Sequence, residues 1–70
     1  MARTIAQVRR ELDDAEKRSA ALAEARSALP PGTSRARVTT ANARWARAAE
    51  HREGLRLELH ALELKLKGGA

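Results

Sequence analysis

The side chains of this sequence best suited to binding a ligand are arginines that cluster in its middle third. No acidic residue occurs between Glu24 and Glu50, whereas each flanking segment contains as many acidic as basic residues. The net charge of +5 therefore resides in this central segment. Its basic residues are Arg26, Arg35, Arg37, Arg44 and Arg47.

A guanidinium group donates hydrogen bonds in a planar fork that fits phosphate or carboxylate oxygens. The five arginines are therefore predicted to contact either nucleic-acid phosphates or an acidic protein surface. Nucleic acid is the less favoured ligand, because the single aromatic residue, Trp45, is predicted to be buried, and no helix-turn-helix or zinc-finger pattern occurs. The alternative is a solvated end of the molecule in a protein that uses arginine as its ordinary polar residue.

The sequence contains no pattern typical of an enzyme or a metal site. His51 and His60 are nine residues apart and do not share a helix face, and no cysteine is available to complete a site that includes His60 and Glu63. No serine or threonine is accompanied by the histidine and carboxylate of a nucleophilic centre. We therefore expect a non-enzymatic protein with no catalytic residue, cofactor, metal ion or small-molecule substrate.

Two heptad stripes, one on each side of Pro30-Pro31-Gly32, predict the elements that position these arginines. Folding the chain at the prolines brings residue i opposite a residue near 67 minus i, so that Leu12 meets Leu55. The predicted fold is all-α, an antiparallel two-helix hairpin with coiled-coil-like packing. The larger residues of its core seam are Ile5, Val8, Leu12, Leu22, Leu29, Trp45, Leu55, Leu59, Leu62 and Leu66.

Local sequence signals predict where the two helices begin and end. Thr4 and Gln7 have the spacing of a capping box, and Pro30 ends the first helix. The second helix begins after Ser34 or, alternatively, near Thr40, because the residues before that point are β-branched. The predicted single domain of residues 1–70 has helix 1 over about 4–29, a turn over 30–34, helix 2 over about 35–67 and a frayed tail over 68–70.

The second helix carries a further apolar stripe on the side that faces away from the seam. Leu57, Ala61 and Leu64 form this stripe, which we call the leucine face. Two helices cannot cover it, so we predict that it is a docking surface for another protein chain. The alternative is a pair of ordinary exposed leucines. A chain of 70 residues rarely gains more than ~3–5 kcal/mol from its own core, which also favours completion by oligomerisation or a partner chain.

Arg52 occupies a seam position between apolar residues. It could be a specificity residue that pairs with Glu11 or Glu16 and fixes the register of the two helices. Alternatively, its side chain extends past Ala15 and Ser19 into water.

The segment Leu29–Glu50, with the sequence LPPGTSRARVTTANARWARAAE, resembles the turn and second helix of short Ala/Arg-rich virion-assembly proteins of tailed bacteriophages. The resemblance implies a small structural component of the capsid, the portal and head-tail region, or the tail, present in symmetric copies. In shape alone, the predicted hairpin is similar to Rop-like hairpins, which pair into four-helix bundles and bind RNA.

The predicted function is therefore that of a structural or adaptor protein that docks on other protein chains, as a homo-oligomer or within a symmetric assembly. The alternative is a nucleic-acid-binding hairpin dimer whose arginine-rich bend contacts phosphates. No secretion signal and no run of about 18 apolar residues is found, so we expect a cytoplasmic protein without membrane partners, located in the virion if the phage resemblance holds.

Overall fold

The computed structural model describes residues 3–68, which form two α-helices packed side by side. Helix α1 spans Ile5–Ser27 and helix α2 spans Arg35–Gly68. The hairpin measures 58 × 19 × 15 Å, the dimensions of a rod one helix thick and two helices wide. The predicted all-α antiparallel hairpin is confirmed. Of the predicted tail at 68–70, residues 69 and 70 lie outside the described residues, and Gly68 belongs to α2.

The first helix begins with the predicted capping box and ends earlier than predicted. The Thr4 hydroxyl accepts a hydrogen bond from the backbone of Gln7 at 3.1 Å, and the Gln7 carboxamide accepts one from the backbone of Thr4 at 2.9 Å. The helix stops at Ser27, whereas the sequence predicted an end near residue 29. The reason is that Leu29 precedes Pro30, whose ring disfavours helical geometry at the residue before it. Ala28 therefore serves as the C-cap, and its N–H donates to the Glu24 carbonyl at 2.9 Å.

The connection between the helices is a tight turn. The Thr33 N–H donates to the Pro30 carbonyl at 3.2 Å across Pro31 and Gly32, and Gly32 has a φ of 85°. Proline followed by a glycine of positive φ is the pattern of a type II turn. The turn reverses the chain within a few residues and so sets the two helices antiparallel.

The second helix starts at Arg35, the earlier of the two predicted positions. Ser34 caps it, because its hydroxyl accepts from the Arg37 N–H at 3.3 Å and its carbonyl accepts from the Val38 N–H at 3.1 Å. The β-branched residues after Val38 are accommodated within the helix. Thr40 donates from its hydroxyl to the Ala36 carbonyl at 2.9 Å, a bond within the preceding turn that threonine commonly forms in helices.

The core lies at the open end of the hairpin, away from the turn. Its buried cluster comprises Val8, Leu12, Ala15 and Leu55, and Leu59 and Leu62 pack against that cluster. The seam is less closed toward the bend. Among the larger predicted seam residues, the half-buried ones are Ile5, Leu22, Leu29, Trp45, Leu59 and Leu62.

The assignment of Leu66 to the seam is wrong. Its side chain is 74% exposed, the largest value among the exposed large hydrophobic residues of the described chain. Helix α1 begins at Ile5, whose predicted partner across the seam is Leu62. Leu66 therefore lies one helical turn beyond the paired part of α2, where α1 offers no helical surface to cover it.

Candidate docking surfaces

Exposed ion pairs link the two arms of the hairpin at its open end. Arg3 donates to the carboxylates of both Glu11 and Glu58, and Arg9 pairs with Glu63 at 3.0 Å. Hydrogen bonding from Arg3 lowers the pKa of Glu58, and the same bond raises the pKa of Arg3. Acidic and basic residues are equal in number in the two segments that form this end, so that it presents little net charge to a partner.

The leucine face lies exposed on the outer side of α2 at this neutral end. Leu57 is 63% exposed and Leu64 is 54% exposed, and Ala61 between them is also exposed. Gly54, one turn before Leu57, borders open space, since a Cβ added there meets nothing within 4 Å. The structure thus places the three predicted residues on one accessible stripe of a single helix.

The five predicted arginines do not act as one cluster in the structure. Arg26 lies over the ring of Trp45, with its guanidinium carbon 4.4 Å from the ring centroid, a cation–π contact. Arg35 is exposed at the first residue of α2. Only Arg37, Arg44 and Arg47 line a common depression. None of the ion pairs found among residues 3–68 includes any of the five.

That depression, which we call the bend groove, runs along one side of the seam in the half of the hairpin nearest the turn. It consists of two adjoining cavities of about 450 and 330 Å³, which share Leu22 and Arg44. Its floor is apolar and is formed mainly by Leu22, Ala25, Leu29, Ala41 and Ala48. Its rim is basic and is formed by Arg18, Arg37, Arg44, Arg47 and His51.

The groove is open because four of the residues that line this side of the seam are alanines, namely Ala25, Ala36, Ala41 and Ala48. Alanine side chains such as Ala25 and Ala41 do not fill the space between two helices, which are normally 8–10 Å apart at larger contacts. Leu22 and Leu29 therefore remain half-buried instead of being enclosed. No acidic side chain lines either cavity in the described part of the chain.

Two rim residues were not predicted as part of this surface. Arg18 belongs to a segment in which acidic and basic residues balance, so the sequence did not distinguish it from its neighbours. His51 was not among the predicted interaction residues, and the structure places it on the groove rim. The available signal was their helical spacing: Arg18 lies one turn before Leu22, and His51 lies one turn after Arg47.

The other polar feature of the seam is a contact between Arg52 and Ser19. The Arg52 Nη1 atom donates to the Ser19 hydroxyl at 3.2 Å, and Ser19 is only 1% exposed. Arg52 pairs with neither of its predicted carboxylate partners. Glu11 pairs with Arg3 instead, and Glu16 lies 3.9 Å from Arg56. The Arg52 Nε atom is buried and has no hydrogen-bond partner among the described residues.

The histidine and glutamate considered as metal ligands lie apart from the groove. His60 is exposed on α2, and Glu63 pairs with Arg9. Within residues 3–68, no group of three or more histidine, cysteine, aspartate or glutamate side chains is close enough to hold a metal ion.

Comparison with known proteins adds no relationship to these observations. No protein-family model matches the chain, and neither a curated protein nor a solved structure matches it. Neither helix of the described residues has the length and apolar character needed to cross a membrane.

Proposed function

We propose that this chain is a non-enzymatic structural or adaptor protein that docks on other protein chains through its leucine face. The observation that carries the proposal is the exposure of Leu57 and Leu64 on α2, whose opposite side already buries Leu55 in the core. Fully burying one leucine contributes about 1.5–3 kcal/mol, so covering this pair would add appreciably to the stability of a small hairpin.

A second copy of the chain is the partner that the charge distribution favours at this face. The open end is nearly neutral, because residues 1–24 contain five acidic and five basic side chains and residues 50–70 contain four of each. Two copies joined there, with their bends pointing apart, keep the two basic segments at a distance and limit their repulsion. The assembly would be a homo-oligomer or part of a symmetric particle.

The resemblance of residues 29–50 to virion-assembly proteins of tailed bacteriophages supports a place for such an oligomer in a capsid, a head-tail region or a tail. A component of this kind acts by filling space between larger subunits and needs no catalytic group. The exposed leucine face and the neutral open end are consistent with that role.

The test is to replace the leucine face and measure assembly. Leu57→Glu together with Leu64→Glu should convert an oligomer into a monomer in size-exclusion chromatography with light scattering. Ala43→Glu with Ala46→Glu is the matched control, because it adds the same charge at exposed α2 positions outside the leucine face. An oligomer that survives the leucine substitutions and persists in the control would refute docking at this face.

The second candidate function is binding of nucleic-acid phosphates, which the absence of ion pairs at the five arginines within residues 3–68 favours. Such binding would be independent of sequence and would weaken steeply with salt, by about 0.9 logarithmic unit per phosphate contact for each tenfold rise in salt. Replacing Arg35, Arg37, Arg44 and Arg47 with Gln should abolish it and leave assembly through the leucine face intact. A defined oligomer that ignores DNA at low salt would exclude this function.

A further inference from the structure

The bend groove combines an apolar floor with a basic rim, and this combination selects a particular kind of ligand. A phosphodiester backbone could pair with the arginines, but it has no apolar surface to cover Leu22 and Leu29. An amphipathic helix has both parts, since one side of it is apolar and the flanking positions can be acidic. We infer that the bend groove binds an acidic amphipathic helix of a partner protein.

The dimensions of the groove fit such a helix. Its α2 side extends from Arg37 to His51, a distance of about 21 Å at 1.5 Å per residue. A bound helix of about 14 to 16 residues would cover this length. Leucine-sized side chains would enter the two cavities between the alanines, and glutamates on both flanks would reach the rim arginines.

The charge of the rim argues that the helix comes from a different chain. Six of the nine acidic residues of this protein already take part in ion pairs among the described residues, and all six lie in the open half. A second copy would therefore offer few free carboxylates to the groove, because only Asp14, Glu24 and Glu50 lie outside those ion pairs. An acidic partner gains an electrostatic attraction that a second copy, with its net charge of +5, does not provide.

This site is separate from the leucine face and goes beyond the proposed function. The groove lies in the half of the hairpin nearest the turn, whereas Leu57 and Leu64 lie in the open half on the outer side of α2. One chain could therefore bind a partner at each end, as an adaptor must. The two proposals can fail independently, because the leucine substitutions do not touch the groove.

The probe is a capped synthetic peptide of about 16 residues with leucines at positions i, i+4, i+7 and i+11 and glutamates flanking them. Binding to the full chain is measured by fluorescence anisotropy of the labelled peptide. A peptide of the same composition in scrambled order keeps the charge and loses the apolar stripe. We expect the amphipathic peptide to bind at least about tenfold more tightly than the scrambled one.

Two variants of the protein locate the binding. Ala25→Glu places a carboxylate on the groove floor at an exposed helical position, and Arg44→Gln with Arg47→Gln removes two rim charges. Each should weaken peptide binding about tenfold. Ala20→Glu is the matched control, because this exposed α1 residue lies outside the groove, and it should leave binding unchanged. Circular dichroism verifies that every variant is folded.

Four results would overturn the inference. Equal binding of the scrambled peptide would show attraction by charge alone, and undetectable binding of the amphipathic peptide would show no site. Tighter binding of a DNA duplex than of the peptide, unaffected by Ala25→Glu, would assign the arginines to phosphates. Loss of an oligomer in the Ala25→Glu variant would show that a second copy occupies the groove.

Discussion

Ser19 and Arg52 form a polar contact within an otherwise apolar seam. Ser19→Ala removes the hydroxyl that accepts from Arg52 Nη1, while the Nε atom of the same guanidinium already lacks a partner. A buried donor left without its acceptor costs about 1–3 kcal/mol, so we expect the free energy of unfolding to fall by about 1 kcal/mol. Urea denaturation followed by circular dichroism measures this change. Ser27→Ala, at the exposed end of α1, is the control and should have little effect.

The same contact predicts a different result when the arginine itself is replaced. Arg52→Met keeps most of the apolar stem and removes a partly desolvated charge, so the free energy of unfolding should stay equal or rise. Arg52 would then be a residue that limits which register the helices adopt, at some expense of stability. A loss larger than that caused by Ser19→Ala would contradict this interpretation, because it would assign the guanidinium a stabilising contact besides Ser19.

Arg3 and Glu58 make the stability of the open end depend on pH. Hydrogen bonding from Arg3 holds the pKa of Glu58 below its ordinary value in the folded protein. A carboxylate with a lowered pKa stabilises the fold above the pKa of the unfolded chain, and this contribution is lost as the pH falls below about 4. Arg3→Gln should therefore raise the pKa of Glu58 in an NMR titration. It should also make the free energy of unfolding depend less on pH in the acidic range. An unchanged Glu58 pKa in the variant would mean that the pair does not persist in solution.

At the scale of the elements, replacing glycine with alanine should have opposite effects on stability in the turn and in the second helix. Gly32 has a φ of 85°, where a side chain is strained, so Gly32→Ala should lower the free energy of unfolding by about 1–2 kcal/mol. Gly54 lies inside α2, and a Cβ added there meets no atom within 4 Å. Gly54→Ala should therefore raise the free energy of unfolding by about 1 kcal/mol, because alanine has the higher helix propensity. Chemical denaturation of both variants tests the pair. Destabilisation by Gly54→Ala would mean that α2 is not helical at this point in solution.

The fold could be predicted from the sequence because the signals that define it are local or periodic. Thr4 and Ser34 cap the helices through bonds to residues three positions away, and the seam follows a repeat that a single helix displays. Leu66 was misplaced because the repeat continues past the point where α1 begins. Periodicity along one helix does not reveal how far its partner extends.

The bend groove could not be predicted in the same way, because it depends on which side of the seam each residue occupies. Arg18 and Arg47 are far apart in the sequence and become neighbours of one cavity only through the packing of the helices. Counting charges along the chain grouped Arg26 with Arg37, whereas the structure directs Arg26 onto Trp45. Sequence position thus indicated the basic half of the molecule but not the surface on which its arginines meet.

For the whole molecule, the proposed self-association predicts that stability depends on protein concentration. A lone hairpin of this size rarely gains more than about 3–5 kcal/mol from its core, and a second copy on the leucine face would stabilise the folded state by mass action. When folding and dimerisation are coupled, raising the protein concentration from about 2 to 200 µM increases the free energy of unfolding by up to about 2.7 kcal/mol. The midpoint of thermal unfolding should therefore rise. Leu57→Gln with Leu64→Gln should remove the dependence, whereas Ala43→Gln with Ala46→Gln should keep it, since both pairs add only neutral polar groups at exposed positions. A wild-type midpoint that stays constant over this range would show that copies of the chain do not complete one another at the leucine face, and the small core would then have to sustain the fold alone.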